Sequence, residues 1–285
     1  MASFQLLSAA VQAGLPPTGP IERLGRALRP MFLADGRVAA PGDVARLRQD
    51  HDYLPGVAIL SFAQAARRSR SSLFRLDYPV HLEWYRRRFR LMAMWELTGW
   101  GLAAWHMQAW SAVHDVEPDP AFASFVFELA DWAVERQLDI NGAFLTDLSG
   151  AGPSFHTAFV AEGIADAWRL AGSIGDDERA GRYALSWRRA MEFMRELTIL
   201  PEDTFCMRLG RDAIGGVRPS QTASEVRVDY VSHTLTALLR GMRAADLEAS
   251  RRRDRSERPA VRSGLTLSAS ARSGSSGGPV ERLPS

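Results

Sequence analysis

Apolar residues along this chain recur at helical rather than strand spacing. Over residues 118–138, Phe122, Phe125, Leu129, Trp132 and Leu138 fall on one face, and Asp119 followed by Pro120 supplies a start signal. The same periodicity predicts a helix over 54–68, with Val57, Leu60, Ala63 and Ala66 in register and Pro55 tolerated in its first turn. Further helices are predicted over 78–97, 100–113, 155–171, 176–197 and 228–245. Residues 1–28 hold one or two short amphipathic pieces around the Pro16-Pro17-Thr18-Gly19-Pro20 break. Roughly eight or nine helices with almost no strand signal make the chain all-α.

The helices are punctuated by a recurring phrase. Asp35-Gly36-Arg37-Val38, Asn141-Gly142-Ala143-Phe144 and Gly215-Gly216-Val217-Arg218 are each a glycine turn and a short extended piece. Each is followed by titratable residues and then an Ala- and Leu-rich helical segment. A repeated supersecondary unit implies stacking, with each unit burying a face that it cannot bury alone.

Composition adjusts this picture only at the end of the chain. All 35 basic residues are arginine, so lysine Schiff-base and lysine general-base chemistry are excluded. From Asp246 onward there are eight arginines against five acids, which leaves 27 against 28 in the body before it. A near-neutral body gives phosphate backbones no concentrated basic face, so no nucleic-acid partner is expected. The Arg86, Arg87, Arg88 and Arg90 cluster reads as a solvated helix face. The region 249–285 collapses to Arg, Ser, Gly and Pro, and is expected to be a disordered tail behind a folded domain of residues 1–248.

Cys206 is the single cysteine, which excludes an intrachain disulfide and fits a reducing cytoplasm. No apolar run approaches the roughly 20 residues of a membrane span, and residues 1–15 lack the basic start of a signal peptide. No membrane partner is expected, and the chain is read as cytoplasmic.

Antiparallel helical pairs joined by alternating turns, with glycine turns 106 residues apart at positions 36 and 142, match two hairpins of about 50 residues each. The Gly-Gly or Asn-Gly turn followed by an aromatic or apolar residue resembles turns of the (α/α)6-barrel superfamily. That superfamily includes six-hairpin glycosidases and N-acylglucosamine 2-epimerase-like proteins. The resemblance covers residues 35–242 and implies an α/α toroid of antiparallel helical hairpins, its cleft at one end of the inner helices. A full toroid has twelve helices, so the resemblance implies an open, smaller or incomplete ring here.

Candidate chemistry sits at predicted helix starts. Asp50 and Asp52 flank His51 ahead of the helix over 54–68, with Tyr53 beside them. They could supply an acid and base pair, or cap the helix. His156 opens the next helix of this kind, with Glu162 and Asp166 at i, i+4 further along it. Asp229 and His233 lie one turn apart, so the acid could orient the imidazole, or Asp229 could bond Arg227 instead. Arg227 and Tyr230 are candidate substrate contacts.

Trp95, Trp100, Trp105 and Trp110 recur every five residues, a step that sweeps around a helix axis. The Gly99 break could turn Trp95 and Trp100 toward a cleft, beside Glu96 and His106, while the other two pack. Indole against the C–H face of a sugar, with acids on its hydroxyls, is the corresponding chemistry. Beyond the His51-Asp52 neighbourhood the six histidines show no ligand spacing, and no phosphate loop, dinucleotide fingerprint or nucleophile elbow occurs. No metal and no cofactor are expected.

The expected protein is therefore a carbohydrate-active α/α toroid, a glycoside hydrolase or sugar epimerase. Catalytic candidates are His156, Asp229, His233 and Asp52, with a small saccharide as partner; oligomeric state is left open. The alternatives are a non-catalytic helical scaffold that binds a protein, or a degenerate enzyme. Convergence of Asp52, His156, Asp229 and His233 on one pocket distinguishes them.

Overall fold

A computed structural model describes residues 2–16, 18–39, 47–69, 71–93, 99–144, 153–206 and 210–257. Among these residues the protein is all-helical. The helices are α1 (Ala2–Gln12), α2 (Pro20–Leu28), α3 (Leu47–Arg68), α4 (Tyr78–Ala93), α5 (Trp100–Val116), α6 (Pro120–Val134), α7 (His156–Ile174), α8 (Asp177–Leu197) and α9 (Val228–Glu257). No helix among them is long and apolar enough to cross a membrane.

Local chemistry places several of the ends. Asp119 caps α6 by accepting from the Ala121 N–H, and Pro120 occupies the first turn, where its missing N–H costs nothing. Asp176 caps α8 by accepting from the Arg179 N–H. Gly175, left-handed at φ 88°, closes α7 and turns the chain straight into α8. Three boundaries differ most from expectation, the first being α6, which ends at Val134 rather than at Leu138. Helix α3 begins at Leu47, so Asp50 and Asp52 lie inside its early turns rather than ahead of it, and Pro55 is interior. Helix α9 runs to Glu257, past the expected domain end at 248, while residues 258–285 of the expected tail lie outside the described residues.

The odd-numbered helices pack side by side in chain order and point the same way. Phe4 meets Phe62, and further along both helices Arg68 donates to the Val11 carbonyl, so α1 and α3 are parallel. Tyr53 lies against Gly101 and Arg67 pairs with Asp115, which makes α3 and α5 parallel. Trp105 meets Phe159 while Asp115 pairs with Arg169, and Glu162 meets His233 while Trp168 bonds Glu248. Helices α5, α7 and α9 therefore continue the parallel row. The even-numbered helices return in the opposite direction. Trp110 stacks near Phe122 whereas Trp100 lies on Trp132, so α5 and α6 are antiparallel.

A second set of contacts ties the returning helices together. Arg86 and Arg90 clasp Glu128 between α4 and α6, and Asp131 of α6 accepts from Arg182 and Tyr183 of α8. Between the two sets lies one continuous apolar core, from Phe4 and Leu7 through Phe62, Trp110 and Phe125 to Ala237 and Ala244. Small residues let the parallel helices approach closely. A Cβ on Gly163 of α7 would sit 2.9 Å from the Ala104 carbonyl oxygen of α5, too close for any side chain.

The three glycine phrases have one structural meaning. Each lies in a short antiparallel bridge on the way from a returning helix to the next helix of the row: Phe32 with Val38, Gln137 with Phe144, and Thr198 with Val217. The helices before and after these bridges therefore start and stop at the same end of the molecule. That end carries the starts of α3, α5, α7 and α9.

Candidate functional site

The starts of α7 and α9 bring several candidates together. His156 opens α7, where its Nδ1 lies 3.0 Å from the Ser154 hydroxyl. Its ring lies 4.2 Å from that of Phe155, which in turn packs 3.9 Å from Tyr230 near the start of α9. Tyr230 is buried, so it serves this junction by packing, with the Arg227 guanidinium 5.2 Å above its ring. Asp229 accepts two bonds from Arg227, each 3.1 Å, in the fork geometry of a carboxylate and a guanidinium.

One turn further along α9, His233 takes a partner from a different helix. Its Nδ1 lies 2.6 Å from the Glu162 carboxylate of α7, and the Glu162 side chain is 3% exposed. Burial works against charging this imidazole. The Glu162 hydrogen bond and charge, with a smaller push from Asp229, outweigh it and hold its pKa above the ordinary histidine value. Of the two readings of Asp229, the structure shows the bond to Arg227, and the carboxylate that orients His233 is Glu162. With Nδ1 engaged, Nε2 is the nitrogen left for a ligand, and the side chain is 29% exposed. Phe159 and Trp105 stand edge-on to the imidazole at 5.6 and 6.4 Å, and Tyr53 lies 5.8 Å from Phe159.

Other candidates fall elsewhere. Trp100 is buried against Trp132 and Phe144. His106 is 0% exposed and accepts from the Trp110 indole N–H at 2.9 Å. Both are core residues, not cleft walls, because the helix that carries them is buried on nearly all sides. Trp105, assigned to packing by its spacing, is the half-buried tryptophan that borders His233. Trp95 and Glu96 lie outside the described residues, as do the side chains of Asp50 and Asp52. Among the described residues, no grouping of His, Cys, Asp or Glu suits a metal ion.

The Glu162–His233 contact has a continuation. One turn on, Asp166 of α7 pairs with Arg240 of α9, so acids on α7 and bases on α9 form a two-rung ladder. Beyond it opens a cleft of about 900 Å³ between α1, α3, α5, α7 and α9. Its floor includes Gln108 of α5, which is 1% exposed, with neither amide atom hydrogen-bonded. Leaving such a group unsatisfied costs about 1–3 kcal/mol. The sequence carried a signal for it: in Ala103 to Ala109, apolar but for His106, a glutamine is out of pattern.

The ladder and the cleft both gather polar groups along the row. No family model, curated protein or solved structure matches this chain.

Proposed function

We propose that the chain is a carbohydrate-active protein of α/α-toroid type, with its parallel row of helices forming an arc of the inner ring. In this reading a saccharide binds at the starting ends of that row, and His233 moves a proton to or from it. The observation that carries the reading is the 2.6 Å contact between His233 Nδ1 and a carboxylate sealed from solvent. A buried acid fixes the tautomer and stabilises the imidazolium formed when the ring accepts a proton at Nε2. The half-buried Trp105 and Tyr53, both packed on the buried Phe159, suit the C–H surface of a sugar ring.

Between the two expected reactions, the arrangement supports the epimerase type. Hydrolysis of a glycoside calls for two carboxyl groups flanking the bond. Here Glu162 is committed to His233 and Asp229 to Arg227, whereas proton abstraction beside a sugar carbonyl needs one oriented base.

The test begins with a thermal-shift screen of mono- and oligosaccharides, since a ligand of the native form raises the melting temperature. Exchange of solvent deuterium into the sugar that binds is then followed by NMR. His233→Gln is expected to slow exchange by about 100-fold or more while the melting temperature stays within a few degrees. In Glu162→Gln the acid limb of the rate profile should move to lower pH, because the charge that raises the His233 pKa is gone. A panel with no stabilising sugar, or undiminished exchange in His233→Gln, overturns the reading.

A further inference from the structure

We propose that the cleft between α1, α3, α5, α7 and α9 is a binding site for a small ligand bearing an oxyanion, phosphate or carboxylate, distinct from the His233 site. The proposal rests on which hydrogen-bonding groups the cleft has to spare. Five guanidiniums line it, those of Arg67, Arg68, Arg169, Arg240 and Arg243, against three carboxylates, Asp115, Asp166 and Asp246. An arginine has five N–H donors and no acceptor, so this lining holds a surplus of donors as well as of positive charge.

Two of the three acids at the cleft, Asp115 and Asp166, are consumed by their neighbours. Asp115 receives Arg169 at 3.0 Å and Arg67 at 3.6 Å. Asp166 receives Arg240, and Arg169 at 4.0 Å. Carboxylates shared in this way order the guanidiniums without exhausting their donors. Arg68 donates to the Val11 carbonyl near the end of α1, which answers the negative end of that helix. Arg243 is exposed at the rim and has no hydrogen-bond or ion-pair partner among the described residues. Like Arg68, it makes no ion pair among the described residues, although Asp246 one turn along α9 also lines the cleft.

The floor supplies the second, independent observation. Gln108 lines the cleft with both amide atoms buried and unpartnered. Beside it, Gln64 accepts from Ser8 at 2.6 Å through Oε1, which leaves its Nε2 group as a further donor. Guanidiniums around a polar amide floor complement a compact ligand with an anionic head and a hydrogen-bonding body. A cationic or wholly apolar ligand would strand these groups. A volume of about 900 Å³ admits a metabolite rather than a folded partner.

The experiment titrates the full chain with inorganic phosphate and, separately, with malonate, each against sodium chloride of equal ionic strength. Melting temperature and calorimetry are the readouts. At least one anion is expected to raise the melting temperature saturably, and which of them does so assigns the head group as phosphoryl or carboxylate. Arg243→Gln, at an exposed position with no structural partner, is expected to weaken that anion by about tenfold. Gln108→Leu is expected to abolish its effect without lowering the melting temperature of the free protein, because it removes two unsatisfied buried groups. His233→Gln should bind the anion as the unmodified protein does, so this result stands or falls apart from the sugar reading. Absence of saturable binding by either anion, or binding unchanged in both Arg243→Gln and Gln108→Leu, overturns the proposal.

Discussion

Gly142→Ala is expected to destabilise the protein by about 3 kcal/mol, from two penalties that add. The residue sits at φ 74°, where an alanine is disfavoured by roughly 1–2 kcal/mol. A Cβ there would also lie 2.6 Å from the carbonyl carbon of Arg189 and 2.7 Å from its Cβ, with the carbonyl oxygen closer still. That obstacle is the backbone of α8, which cannot rotate away as a side-chain tip could. The Gly142 carbonyl further accepts from Gln137 Nε2 at 2.7 Å, and the same amide nitrogen donates to the Ser186 carbonyl at 2.9 Å. A shift of the turn therefore strands a buried amide that locks the turn onto α8.

The sister turns calibrate this expectation. Gly36, at φ 88°, would place a Cβ against the backbone of Val80 in α4, and its carbonyl holds His81 Nδ1 at 2.6 Å. Gly36→Ala should be about as damaging as Gly142→Ala. Gly215 has the same handedness at φ 83° but nothing within reach of a Cβ. Gly215→Ala should thus cost only the conformational penalty of about 1–2 kcal/mol. Urea midpoints of the three variants provide the measurement. Equal losses at all three positions would show that the contact with the returning helix contributes nothing.

Those turns were legible because their signal is local. A dipeptide such as Asn141-Gly142 carries its own backbone preference, and recurrence at three places announced a repeated unit before any packing was known. Helix existence was legible from periodicity for the same reason, while boundaries were not. Residues 47–53 of α3 are mostly polar, so an apolar stripe could not reveal them, and Pro55 reads as a first-turn proline when the turns before it are unseen. The end of α9 is written in Arg, Glu and Asp, residues that read as tail by hydropathy. Yet Arg and Glu are good helix formers, and Arg252 pairs with Glu248 across one turn.

The site was legible only as far as neighbours in sequence are neighbours in space. Asp229 and His233, stacked one turn apart, invited pairing, but Arg227 lies two residues away and offers a fork that a carboxylate fills better than a single imidazole nitrogen does. The partner His233 takes is 71 residues distant, across a parallel pair of helices whose register no sequence pattern states. Glu162 and Asp166 were readable as one face of α7. That α9 presents His233 and Arg240 to that face is a product of packing.

Lowering the pH from 6.5 to 5 is expected to cost the protein about 2 kcal/mol of stability, chiefly through His106, at about 1.4 kcal/mol per pH unit for one proton. Full burial pushes the His106 pKa down to about 3, and the nearby His81 adds to the push. The unfolded chain takes up that proton below about pH 6.5 while the folded one refuses it, so stability is complete above 6.5 and falls steadily below. Geometry gives the same sign. Nδ1 accepts the Trp110 indole N–H at 2.9 Å, and a proton placed there would set two donors face to face. His81, whose pKa burial also lowers, contributes in the same direction. His233 acts oppositely, since its raised pKa makes its share complete at low pH and lost as pH climbs through the folded value. Carboxylates with lowered pKa, such as Glu128 and Asp176, weaken the fold only below the chosen window. His106→Gln retains an acceptor for Trp110 and cannot titrate, so most of the acid loss between pH 6.5 and 5 should vanish with it. Urea unfolding at the two pH values decides the matter, and an equal loss in the variant would place the acid sensitivity outside the core.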